Sequence, residues 1–190
     1  QALREGRVAM LAPLACEGRQ GGGGDEQAQR EAVVAEAYSW LRTKYHHMGD
    51  LKYEDANNRG GVDCAMLLVR VYAAVGLVPA DLDPRPYPAD WHLHRSDERY
   101  LGFLDEYGVP VQTPGLGDVA VYQFGRCFSH GTIIVAPDTV IHSYMKQGVT
   151  LEVMGEGASM GPYNATMKRQ ETERQGDIRY SIEWTSLGDY

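Results

Sequence analysis

The stretch Gly60-Gly61-Val62-Asp63-Cys64-Ala65-Met66-Leu67-Leu68-Val69-Arg70-Val71-Tyr72 decides how the chain is read. Two glycines and an aspartate lead a cysteine into an apolar run, which continues without a Gly or Pro until Gly76. The spacing predicts a mostly buried helix with Cys64 in its first turn. At a helix start, unpaired backbone N–H groups and the positive end of the helix dipole favour the thiolate, the nucleophilic form of cysteine. Taken alone, Cys64 has a plainer explanation as a small buried thiol, because free cysteines are commonly core residues.

Two later runs change that balance: Ser129-His130-Gly131-Thr132-Ile133-Ile134-Val135 and Thr139-Val140-Ile141-His142-Ser143-Tyr144. Both are rich in β-forming residues, and Pro137-Asp138 between them is turn chemistry. An antiparallel hairpin with His130 opening its first strand and His142 late in its second sets the two imidazoles side by side. A thiolate, a base and a third group orienting that base are the parts of nucleophilic acyl transfer. A lone cysteine gains weight when histidines follow in a separate β segment.

Composition sets the outer limits. The chain has 190 residues, 43% hydrophobic and 23% charged, which fits one globular domain. Its net charge of −8, with no Lys/Arg cluster, argues against a sequence-blind grip on nucleic acid. Cysteines at 16, 64 and 127 form neither a disulfide framework nor a zinc-ribbon spacing, although a Cys16–Cys127 bridge would leave Cys64 free. No apolar run approaches the roughly 20 residues of a membrane span. The segment from Val8 to Cys16, behind Arg4 and Arg7, has the outline of the end of a signal peptide but is broken by Pro13.

Residues 1–24 end in four glycines and read as a flexible N-terminal extension. A helix is expected from Asp25 or Glu26 to near Lys44, with Tyr38 and Trp40 as packing residues. The adjacent His46 and His47 lack a partner at chelating spacing, and no metal is expected there. Pro79, Pro84, Pro86 and Pro88 make 80–91 an extended surface excursion. His92 and His94 read as surface residues. Ser96 to Tyr107 reads as a short amphipathic helix capped by Ser96. Strands are expected at 117–122, 131–135, 139–144 and 148–153, with a last one at 178–184; a meander of this kind needs helices covering one face.

With these residues in view, the chain resembles the NlpC-type cell-wall peptidases, a papain-like family, over roughly residues 36–154. The resemblance is carried by Gly61-Val62-Asp63-Cys64, Gly117-Asp118-Val119-Ala120-Val121-Tyr122, the run around His130, and Val140-Ile141-His142-Ser143, in that order. It implies an α+β papain-like fold, with N-terminal helices packed on an antiparallel sheet and 25–154 as the peptidase domain. Residues 155–190 are then a C-terminal extension completing or docking that domain. It further implies Cys64 as nucleophile, His130 as base and His142 as the group orienting His130, with no cofactor or metal. Tyr45 occupies the place of a family tyrosine able to offer its hydroxyl to the oxyanion, and Asp63 joins it as an oxyanion or substrate-binding residue. The family usually reads Asp-Cys-Ser-Gly where this chain has Asp63-Cys64-Ala65-Met66, a departure that implies altered substrate preference.

A narrower resemblance, in Tyr45-His46-His47-Met48-Gly49 and in Tyr87 to Tyr100, points to the branch found in phage tail tips and gene transfer agents. It implies a virion-borne enzyme acting on the peptide stem of host peptidoglycan, with other tail-tip proteins as partners. The rival expectation is a catalytically silent adaptor of the tail tip. A Cys64–His130–His142 zinc site is a further alternative that uses the same side chains.

Overall fold

The computed structural model describes residues 8–13, 23–55, 57, 60–90, 93, 97–124, 126–145 and 147–153. Its elements are β1 (Val8–Pro13), α1 (Gly23–Ser39), β2 (Asp50–Leu51), β3 (Gly61–Val62), α2 (Cys64–Ala74), α3 (Arg99–Tyr107), β4 (Gly108–Pro110), β5 (Val119–Phe124), β6 (Cys127–Ala136), β7 (Thr139–Tyr144) and β8 (Gly148–Val153). The main sheet has the order β4-β1-β5-β6-β7-β8, and every pairing in it is antiparallel. The architecture is therefore α+β, with helices laid on an antiparallel sheet, as the sequence leads one to expect.

Helix α2 begins where the motif places it. Asp63 is in extended conformation and its carboxylate accepts the Met66 N–H, the standard use of an N-cap side chain. The helix stops in a Schellman arrangement. Gly76 takes a φ of 75°, its N–H bonds to the Ala73 carbonyl at 3.0 Å, and the Leu77 N–H bonds back to Tyr72 at 2.9 Å. Between these caps Met66, Leu67 and Val71 are fully buried, facing Val33 and Ala37 of α1, Trp40 just beyond it, and Val121, Ile133 and Ile141 of the sheet. Tyr72 is also buried, and its hydroxyl donates to the Gly117 carbonyl at 2.7 Å, so its polar tip is satisfied.

Several expectations change. Residues 8–13, read as part of a flexible extension, form β1 inside the sheet, with Ala9 opposite Val121 and Ala12 opposite Val109. The apolar alternation that looked like the end of a signal peptide supplies a strand with neighbours on both sides. Helix α1 ends at Ser39, before Lys44, because the backbone at 42–43 bonds to Val149 of β8. His130 does not open its strand: β6 already starts at Cys127, paired with Phe124 across a bulge at Tyr122/Gln123. Helix α3 starts at Arg99 and carries no side-chain cap at Glu98. The expected cap Ser96, the histidines 92 and 94, Cys16, the strand at 178–184 and the extension 155–190 all lie outside the described residues. Cys127 is a free, buried thiol.

Candidate active site

The cysteine side of the site is gathered by Asp63, which is only 2% exposed. One carboxylate oxygen caps Met66 at 2.9 Å and the other accepts the Met48 N–H at 2.7 Å. The Tyr87 hydroxyl donates to the same carboxylate at 2.9 and 3.0 Å, and His47 Nδ1 lies 3.5 Å away. Asp63 thus ties the helix start to two irregular segments, around Met48 and around Tyr87. A carboxylate accepts hydrogen bonds, and these protein donors occupy both oxygens. The structure therefore makes Asp63 an internal anchor, where the sequence suggested an oxyanion or substrate group. His47 also contacts the Tyr87 carbonyl through Nε2 at 3.0 Å, so it is built into the same anchor.

Cys64 sits in the first turn of α2 with its thiol toward β6, where Sγ donates to the Ser129 carbonyl at 3.9 Å. Burial pushes this thiol up to about 12, and the Asp63 charge beside it adds to the shift. Desolvation and the neighbouring anion thus oppose the thiolate that the helix start favours. The thiol meets the base side protonated.

That base side lies on three adjacent strands. Ile133 opposite Ile141 in the β6–β7 register puts His130 and His142 on one face of the sheet. The two rings meet edge-on, with His130 Nε2 and His142 Nδ1 2.8 Å apart. Burial lowers His130 to about 3, with the neighbouring His142 contributing, and burial lowers His142 to about 4. Both imidazoles are neutral at physiological pH. The short N···N contact then carries one proton, donated by one ring and accepted by the other. Tyr144 stacks on His142 at 6.0 Å between centroids and Tyr122 lies 6.4 Å from His130, which restricts both rings.

The two sides face a common cleft of about 420 Å³, whose walls include Tyr45, Cys64, Tyr87, Tyr100, His130 and Tyr144. Burial, with the Asp63 charge nearby, pushes the Tyr45 hydroxyl up to about 12 and keeps it a proton-bearing donor. The sequence reading missed two residues here. Tyr100 has the sequence pattern of one apolar position of an amphipathic helix, yet its buried hydroxyl lies against the Cys64 thiol. That hydroxyl packs against Gly131: an added Cβ there would collide with it and lie 2.6 Å from Leu68 Cδ1. Tyr87, in the proline-rich excursion, was read as surface, and only its return to Asp63 reveals it. The sole signal in the sequence was the glycine directly after His130, which permits the close approach.

Among the described residues no group of three His, Cys, Asp or Glu is arranged to hold a metal ion, and His130 and His142 bond to each other. Nor does any described helix have the length and apolarity to cross a membrane.

Neither a scan of protein-family models nor a search of curated protein sequences finds a match to this chain. Among solved structures, the chain is similar to the NlpC/p60 domain of the peptidoglycan hydrolase SagA. The identity is 19% and the TM-score 0.42, over 65% of this chain and 88% of that one.

Proposed function

We propose that the protein is a cysteine peptidase of the NlpC type that hydrolyses an amide bond in the peptide stem of bacterial peptidoglycan. The observation that carries this reading is a capped helix-start cysteine sharing a cleft with a buried, hydrogen-bonded histidine pair. With thiol and imidazole both neutral at rest, His130 acts as a general base during attack. The Sγ–H bond breaks, His130 takes the proton, and sulfur adds to the amide carbonyl carbon. The oxyanion draws on the Cys64 backbone N–H and the Tyr45 hydroxyl, with the Tyr100 hydroxyl beside the thiol. Collapse of the intermediate breaks the C–N bond as His130 returns its proton to the leaving amine. Water then hydrolyses the thioester by the same route in reverse.

The finer reading is a tail-tip enzyme that opens the host wall from within a virion, docked to neighbouring tail proteins. It is supported by the sequence of the segments around Tyr45 and Tyr87, both of which fold back onto Asp63 beside the nucleophile. A catalytically silent adaptor is the rival reading, and the raised Cys64 thiol gives it its one point of support.

Release of soluble stem-peptide fragments from purified cell walls tests the proposal. Cys64→Ala is expected to abolish release while leaving the circular dichroism and melting curve close to wild type. Lysis retained by that variant overturns the mechanism, and wild-type protein inert on walls of several stem compositions establishes the adaptor.

A further inference from the structure

His142 Nε2 is buried and makes no hydrogen bond among the described residues, yet Glu152 Oε2 lies 3.4 Å from it. The register explains the approach. His142 stands opposite Thr150, and Glu152 is two residues farther along β8, hence on the same face and diagonal to His142. Diagonal cross-strand neighbours lie within reach of long side chains. His130, His142 and Glu152 therefore form a line running across β6, β7 and β8, with contacts of 2.8 and 3.4 Å.

We propose that Glu152 is a positioning residue that sets the direction of the proton chain through both histidines and so keeps His130 in the tautomer able to act as a base. The inference rests on the reading of His130 as that base. The reasoning follows from proton counting. Each neutral imidazole carries one N–H. An ionised carboxylate beside His142 Nε2 favours the proton there, which leaves Nδ1 of His142 as an acceptor. His130 must then donate from Nε2, so its own Nδ1 carries no proton and is able to take one from a thiol. With the opposite order, His142 donates from Nδ1 to His130 Nε2, and His130 holds its proton on Nδ1. That form cannot accept a proton there. A neutral carboxylic acid at 152 donating to His142 Nε2 also imposes this unproductive order. Burial raises the Glu152 carboxyl above its ordinary value, so the charge on this one side chain is the quantity that selects between the two states. When His130 takes the proton, the cation spreads along a chain that ends on the carboxylate, which stabilises it.

The test is ¹⁵N NMR of the histidine ring nitrogens in the full chain near neutral pH, with the two residues assigned by His130→Gln and His142→Gln. Wild type is expected to show Nε2–H on both rings. Glu152→Lys places a donor-only group where the acceptor stood and is expected to move the His142 proton to Nδ1. On walls, the same variant is expected to lose roughly tenfold or more in kcat with KM little changed, the pattern of a displaced tautomer. A wild-type spectrum with His142 protonated on Nδ1 overturns the proposal without recourse to any variant. So does a Glu152→Lys protein that is folded and spectrally unchanged. The two readings fail separately. A correct tautomer pattern with inert wild-type protein on walls removes the peptidase and leaves the proton chain, whereas lysis with the reversed pattern removes the chain and leaves the peptidase.

Discussion

The two sides of the cleft are built by opposite strategies. On the nucleophile's side one buried carboxylate, Asp63, holds a helix start and two irregular segments together through four protein groups. On the histidine side, strand ladders place His130 and His142, and Tyr122, Tyr144 and Glu152 flank the rings. The first arrangement concentrates its dependence on one residue. The second spreads it over strand pairing, so its chemistry is sensitive to what neighbours the rings and less so to any one anchor. The cost on the first side is visible too: the anion that organises Cys64 also opposes its ionisation.

This contrast gives predictions that descend in size. His130→Ala removes the base and leaves the ladders, so turnover on cell walls should fall by roughly 10²- to 10⁴-fold with the melting temperature nearly unchanged. A large loss of stability in that variant would show the rings to be structural.

Gly131→Ala should come next. Its methyl group meets the Tyr100 hydroxyl and Leu68 Cδ1 at the floor of the cleft. Turnover should drop by roughly tenfold or more as the helix bearing Tyr100 is displaced, and overpacking should cost about 1–3 kcal/mol of stability. Denaturant melts alongside a wall assay separate the two effects, and unchanged kinetics would place Tyr100 outside the chemistry.

Asp63 sharpens the comparison because two of its roles oppose each other. Cys64 alkylation in wild type should accelerate about tenfold per pH unit from neutrality upward, since the thiol titrates far above that range. Asp63→Asn removes the charge and should make Cys64 react faster at neutral pH, while the weakened cap and the poorer acceptor for Met48 and Tyr87 lower stability. A flat pH profile in wild type would indicate a preformed thiolate–imidazolium pair.

The smallest effect belongs to the base's side. His130 and His142 have folded values of about 3 and about 4, below their unfolded value of about 6.5. A depressed histidine stabilises the fold fully above its unfolded value, and that contribution is lost as pH falls toward the folded one. The melting temperature should hold above pH 7 and decline between about pH 6.5 and 4. The double variant His130→Gln/His142→Gln should decline less steeply over that window. Equal slopes in the two proteins would place the titration elsewhere.

Much of this was open to a reader of the sequence, for local reasons. A cap aspartate, an uninterrupted apolar run and a left-handed glycine define α2 within about a dozen residues, because helix bonds and caps are short-range. The alternation and the turn at Pro137-Asp138 likewise define the β6–β7 hairpin, and with it the meeting of His130 and His142. The remainder depended on distant partners. Val8–Pro13 has the apolar pattern of several structures and becomes a strand only because β4 and β5 flank it. Tyr87 and Tyr100 look like a loop residue and a helix-face residue until the chain returns them to the cleft.

The ionisation of the site was the least legible property. The sequence by itself determined, through helix and strand periodicity, that the cysteine begins a helix and the histidines share a face. Only the tertiary structure decided their protonation and the company they keep, Glu152 included. Burial and charge–charge contacts act through space, so a carboxylate beside the thiol opposes what the dipole of one helix turn favours.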